Sequence, residues 1–283
     1  MTEKSHTLLG PVEVRELAEM MQVTPTKKLG QNFVVDPNTV RKIVRLAGVR
    51  EEDSVLEIGP GLGSLTLGIT ETGAIVTAVE IDHRLATQLA VTVATCQPDA
   101  KLDVINADGM QITSLPREVN VLVANLPYNV SVPILMHLLE TFPSIQRGLV
   151  MVQAEVGHRL AAAPGSKVYG VPSVKAAWYG DWQISGQVSR QIFWPVPNVD
   201  SVLVGFEKYD KPIGTEAERL LTFELIDAAF GQRRKMIRQS LQQVVAGSVP
   251  ELLNSAALSE TARPESLSVE DFLMIARAIH NGN

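Results

Sequence analysis

The chain has 283 residues, 45% hydrophobic and 20% charged, a globular composition long enough for one full core and a smaller appended domain. No apolar run approaches the roughly 18 residues of a membrane span, and the opening MTEKSHTLLG lacks the basic-then-apolar order of a secretory signal, so a cytoplasmic setting is expected. The lone Cys96 excludes an intrachain disulfide and a cysteine-built zinc site, five scattered histidines suggest no metal, and a net charge of −6 taken alone argues against a polyanionic partner.

Two helical patterns precede residue 51. The first carries Val12, Val14, Leu17 and Met21 among Glu and Arg; the second spaces Val40, Ile43, Val44 and Ala47 at i, i+3, i+4 and i+7. Asp36 is placed to cap the second helix, Pro37 suits its first position, and Gly48 can close its far end. Between the two lies KKLGQNFVV, Lys27 to Val35, which has no period and reads as a loop.

From residue 54 short apolar strands alternate with helices. Strands are expected at Val55–Ile58, Ile75–Val79, Leu102–Ile105, Val119–Ala124, Leu149–Val152 and Val202–Val204, with helices at Arg84–Thr95 and Val132–Glu140. Repeated βα units with nearly all-apolar strands predict a parallel sheet covered on both faces, with ligands at the strands' carboxyl ends. After about residue 212 the strands stop. Phe223, Ile226 and Phe230, then Ile237, Leu241 and Val244, mark two amphipathic helices; a last helix is announced by Ser268 and Asp271 as a capping pair and by Leu267 and Phe272 as a staple. The expected division is residues 1–212, an α/β domain with an N-terminal helical extension, and 213–283, a small helical domain.

Charge is spread unevenly over this plan. Residues 51–110 hold ten Asp or Glu against Arg84 and Lys101, a balance of −8, so the remainder is +2 and able to present a basic face. The first strand runs into Glu57-Ile58-Gly59-Pro60-Gly61-Leu62-Gly63, a glycine loop that lets backbone approach a ligand at a helix N-terminus. Glu80 ends the second strand, where a carboxylate suits two ribose hydroxyls. Ser64 breaks the dinucleotide pattern G-x-G-x-x-G, and Glu57 would repel a pyrophosphate but attract a cation. S-adenosylmethionine, with a sulfonium, an ammonium and no phosphate, fits better than a nicotinamide dinucleotide. Asp108, after the third strand, can accept from an adenine amine, or be a plain turn residue before Gly109.

The fourth βα junction carries Asn125-Leu126-Pro127-Tyr128. An adenine amine delocalises its lone pair into the ring. An amide oxygen (Asn125) and a backbone carbonyl (Leu126) accepting its two N–H groups would favour a tetrahedral nitrogen aimed at an electrophilic methyl group. Pro127 has no N–H and a fixed φ, and Tyr128 can stack on the base. As an isolated motif, Asn-x-Pro-Tyr would be only a turn. Arg233, Arg234, Lys235 and Arg238 are expected to open a helix, where cations oppose the helix dipole and Arg234 and Arg238 form a like-charge i,i+4 pair; phosphate contact explains such a placement. Lys27 and Lys28 form a weaker RNA-facing patch.

KKLGQNFVVD (27–36), VLEIGPGLGSLT (55–66), NLPYNVSVPIL (125–135), QAEVGHRLAAAPGSKVYG (153–170), FWPVPNVDSVLV (193–204) and AFGQRRKMIRQSL (229–241) resemble, in that order, the ribosomal RNA adenine dimethyltransferases of the KsgA type, relatives of the Erm resistance methylases. The resemblance covers nearly the whole chain. It implies a Rossmann-like class I S-adenosylmethionine-dependent methyltransferase domain with a small C-terminal helical rRNA-binding domain. It also implies a monomeric, metal-free enzyme that dimethylates the N6 amines of two adjacent adenosines in the 3′-terminal hairpin loop of 16S rRNA within the assembling small subunit. Asn32, Val34, Gly59, Glu80, Asp108 and Asn125 would then contact the cofactor, together with Glu57, Gly61 and Gly63 of the glycine loop. Asn125 to Tyr128 would frame the adenine, and Phe193 of F-x-P-x-P would stack on its other face. Val132, where a threonine often stands, and a longer leader before Lys27 depart from the pattern. An NAD-dependent oxidoreductase, an Erm-type enzyme acting on 23S rRNA and a non-catalytic assembly or transcription factor on the same fold are the rival readings.

Overall fold

The computed structural model describes residues 8–23 and 32–282, so the expected Lys27 and Lys28 patch lies outside the described residues. A leading helix α1 (Pro11–Met20) is followed by a two-residue strand β1 (Phe33–Val34) and helix α2 (Pro37–Leu46). Asp36 caps α2 by accepting from Thr39 N at 2.9 Å, and Gly48, at φ +61°, turns the chain out of it. The alternating region gives β2 (Ser54–Ile58), α3 (Ser64–Thr70), β3 (Ile75–Glu80), α4 (His83–Cys96), β4 (Leu102–Asn106), β5 (Val121–Asn125), α5 (Ser131–Thr141) and β6 (Arg147–Gln153). Then come α6 (Ala154–Leu160), α7 (Val171–Ala177), β7 (Gly180–Val188), β8 (Phe193–Trp194) and β9 (Ser201–Lys208), followed by helices α8 (Glu216–Gly231), α9 (Ile237–Ser240), α10 (Val249–Ser255) and α11 (Val269–Gly282).

Seven strands form one sheet in the order β4-β3-β2-β5-β6-β9-β7, while β1 pairs antiparallel with β8 in a separate ribbon. Strands β2 to β6 pair in parallel, as their apolar runs predict; β9, which contains the expected Val202–Val204 strand, runs antiparallel to β6. Val55, Val121, Leu122 and Val150 are wholly buried, as strands covered on both faces require. Strand order reverses direction between β2 and β5, and at such a switch point the loops leaving the carboxyl ends part to form a crevice.

Packing between β5, β6 and β9 is tight at Gly148. A Cβ there would meet Leu122 O and the Phe206 ring, both at 2.5 Å. Gly148→Ala is therefore expected to cost about 1–3 kcal/mol, measured as a lower urea midpoint at an unchanged m-value; wild-type stability would show that the sheet yields there.

The chain divides into two compact units: residues 1–157 with 183–207, and residues 158–182 with 208–283. The second unit starts near the expected residue 212 but also takes in 158–182, a segment the sequence places with the α/β domain. Nothing periodic announces that segment. Helices α6 and α7 have seven residues each, and β7 is an edge strand with two glycines and an irregular burial pattern. Within the second unit Phe223 packs edge-on against Trp178 and Tyr179, Phe230 lies between Tyr169 and Phe272, and the Tyr169 hydroxyl donates to Leu267 O at 2.9 Å. Ser268 and Asp271 cap α11 reciprocally, as predicted.

Two expectations about the basic segment fail. Arg233, Arg234 and Lys235 lie in the turn after α8, not in a helix, and α9 is a single turn that holds only Arg238 of the four. The like-charge i,i+4 argument therefore falls away. The break follows from Met236, which has extended backbone and serves as N-cap of α9.

Candidate active site

In the first unit the carboxyl ends of β2, β3 and β5 and the loop after β4 surround a cavity of about 280 Å³. Its lining includes Asn32, Val34, Glu57, Gly59, Gly61, Glu80, Asp108, Asn125 and Pro127, so most of the predicted cofactor positions converge although they span some 90 residues of chain. Gly63 stands just behind them as the N-cap of α3, at φ +97°. Gly61 shows why the loop needs glycine: its φ is +58°, and a Cβ would sit 2.8 Å from the Phe33 ring. Gly61→Ala is expected to weaken cofactor binding at least tenfold by displacing either the loop or Phe33; unchanged affinity in a calorimetric titration would remove the loop from the site.

Glu80 uses both carboxylate oxygens locally, accepting from Gly61 N at 3.1 Å and from Asp82 N at 3.0 Å, so it fixes the glycine loop as well as bounding the cavity. Burial raises its carboxyl above the usual carboxylate range, against those hydrogen bonds. Glu57 is only 1% exposed and its Oε2 has no hydrogen-bond partner among the described residues. Burial, opposed by the neighbouring Thr66 hydroxyl and reinforced by the Glu80 charge, pushes it up to about 8. Asp108 combines its two sequence readings: it lines the cavity and also accepts from Met110 N at 2.9 Å as a turn residue. Among the described residues the lining holds three carboxylates and no Lys, Arg or His. An orphaned buried carboxylate oxygen beside a glycine cradle fits a ligand with a cationic end and no phosphate, as S-adenosylmethionine is.

Asn125 ends β5 at the cavity wall. Its Nδ2 donates to Asn32 O at 2.9 Å, which orients the amide and leaves Oδ1 as the acceptor. Leu126 buries its side chain at 1% exposure and Pro127 borders the cavity. Tyr128 does not line the cavity; its hydroxyl bonds the Ser201 hydroxyl at 2.7 Å, which sets the ring's position. Phe193 does not line it either. It is 2% exposed and pairs with Val34 in the β1–β8 ribbon, so an adenine would meet its face only if that ring were uncovered. Sequence reasoning missed Phe33 and Trp194, whose stacked rings, 6.3 Å apart, join the cofactor wall to the F-x-P-x-P segment. Two-residue strands carry no period, so only their pairing reveals the link.

In the second unit, Arg233, Arg234 and Lys235 are exposed, and Arg233 Nη2 donates to the carbonyl of the exposed Lys167 at 3.1 Å, which brings Arg233 beside that residue. Arg238 is drawn off by Glu260 at 3.3 Å.

The family model for ribosomal RNA adenine dimethylases matches residues 24–281. Ribosomal RNA small subunit methyltransferase A of Leifsonia xyli subsp. xyli is 59% identical over 273 residues, covering 95% of this chain and 98% of its own; that of Streptomyces coelicolor is 54% identical, covering 95% and 96%. A dimethyladenosine transferase from Plasmodium falciparum shares the fold at TM-score 0.73 and 22% identity, over 86% of this chain and 95% of its own. The 23S rRNA methyltransferase ErmE does so at TM-score 0.66 and 25% identity, over 88% and 100%. A glycine-lined cavity with an oriented amide at its wall is joined by a family match over nearly the whole sequence, and this chain belongs to the ribosomal RNA adenine dimethylase family.

Proposed function

We propose that this protein transfers methyl groups from S-adenosylmethionine to the N6 amines of two adjacent adenosines in the 3′-terminal hairpin loop of 16S rRNA during small-subunit assembly. The observation that carries the chemistry is Asn125, its amide fixed by Asn32 at the wall of a cavity whose charged side chains, among the described residues, are all acidic. The substrate assignment draws support from the relatives' name, ribosomal RNA small subunit methyltransferase A, at 59% and 54% identity.

The cofactor, when bound, supplies an electrophilic methyl group on a sulfonium. Asn32, Val34, Glu57, Gly59, Gly61, Glu80 and Asp108 would hold it. Asn125 Oδ1 and the Leu126 carbonyl accept the two N–H bonds of the target amine and favour a tetrahedral nitrogen, while Pro127 limits the turn's freedom. Tyr128, tethered through Ser201, offers its ring to the base. No strong base is required, because the amine proton becomes acidic once the nitrogen is alkylated. The exposed Arg233, Arg234, Lys235 and Lys167 engage RNA phosphates.

The test incubates the purified chain with radiolabelled S-adenosylmethionine and, separately, undermethylated small and large ribosomal subunits. Dimethyladenine in the small subunit's final hairpin is expected. Label confined to large-subunit RNA would transfer the protein to the Erm-type activity.

A further inference from the structure

Glu57 lines the cavity with one carboxylate oxygen unpartnered among the described residues, although the side chain is almost wholly buried. Thr66 of α3 and Glu80 of β3 face it, and neutral Asn125 of β5 and Asp108 of the loop after β4 line the same cavity. Arg84, at the start of α4, is engaged by Asp82 at 2.8 Å. Glu80 and Glu57 are not equivalent. Burial and a neighbouring like charge work against the charged form of both, but Glu80 has two backbone N–H donors that favour it, whereas Glu57 has only the Thr66 hydroxyl. Two adjacent buried carboxylates with no cation between them among the described residues do not both ionise readily, and the one with fewer donors keeps the proton.

Resting on the cofactor reading above, we propose that Glu57 carries a proton until a cationic ligand enters, and that cofactor binding expels this proton so that affinity is coupled to pH. The O–H bond of the Glu57 carboxyl breaks, its proton passes to solvent, and the resulting carboxylate faces the incoming cation. The glycine loop of β2 thereby discriminates for charge as well as shape: a neutral nucleoside gains nothing from ionising Glu57.

Isothermal calorimetry tests this with the full chain and S-adenosylmethionine at about pH 6.5, in two buffers of similar pKa and different ionisation enthalpy. The ligand's own amino group, which titrates near 8, is protonated there; a released proton therefore comes from the protein. The expected result is close to one proton released per ligand bound, with affinity rising almost tenfold per pH unit up to about pH 7. Adenosine should release none, and Glu57→Gln should bind S-adenosylmethionine more weakly and without release. Wild-type binding with no proton release, or equal release from Glu57→Gln, would overturn the proposal. The wild-type and adenosine comparison stands even if the variant fails to fold. Absence of any binding to the wild type would instead bring down the cofactor reading itself, which separates the two failures.

Discussion

Asn125→Ala is expected to slow methyl transfer by about 10²–10³-fold, the usual loss when one oriented polar group at the reacting centre is removed. On the proposed mechanism the side chain has two jobs on separate atoms. Its Nδ2 holds Asn32 O at 2.9 Å, and its Oδ1 is the acceptor left for the target amine. Alanine removes both, so a secondary loss of cofactor affinity, smaller than the loss in rate, accompanies the main effect. The fold should persist, because Asn125 is the last residue of β5 and the wholly buried core positions lie before it at Val121, Leu122 and Val123. Single-turnover methylation, cofactor titration and a thermal melt on one preparation separate these effects. A rate near that of wild type would end the amine-positioning mechanism, whatever the cofactor affinity.

Replacing Arg233, Arg234 and Lys235 together by Gln is expected to weaken ribosomal subunit binding by one to two orders of magnitude at moderate salt. It should also flatten the dependence of log affinity on log salt by about 2, at roughly 0.7 for each phosphate that is no longer neutralised. All three are exposed, so solvent on the free surface screens them and the fold should be indifferent to their loss. Arg238→Gln serves as the internal control. Its ion pair with Glu260 at 3.3 Å makes it a poorer phosphate ligand, and its removal should shift the salt slope less. An unchanged slope in the triple variant would show that the RNA docks elsewhere.

The parallel core and the cavity are legible in the sequence because both rest on local signals: continuous apolar strands, a glycine loop, acids at strand ends. Asp36, Ser268 and Asp271 cap their helices as expected, since a cap is an interaction within four residues. What escapes is non-local. The edge strand β7 has no clean alternation, the β1–β8 ribbon is too short to show a period, and residues 158–182 join the second unit through pairings with residues beyond 208, such as Tyr169 with Leu267. From its motif alone Phe193 reads as an open stacking surface; that it pairs with Val34 and is buried depends on a partner about 160 residues away. The turn at Arg233–Lys235 is hidden by a hydrophobic spacing that continues through it.

The β1–β8 ribbon also orders events in the making of the protein. Phe33 meets Trp194, and Val34 meets Phe193, across some 160 residues of chain, so this ribbon closes one of the longest loops in the first unit and gains little pairing in return. A nascent chain can pair β2, β3 and β4 as soon as they emerge, and Asn32 and Phe33 can meet Asn125 and Gly61 once those are made, yet Phe33 and Val34 lack their strand partners until Trp194 has been synthesised. The ribbon that backs the cofactor pocket is therefore among the last parts of its unit to form, and a chain halted before residue 193 would have a parallel core with that wall unpaired.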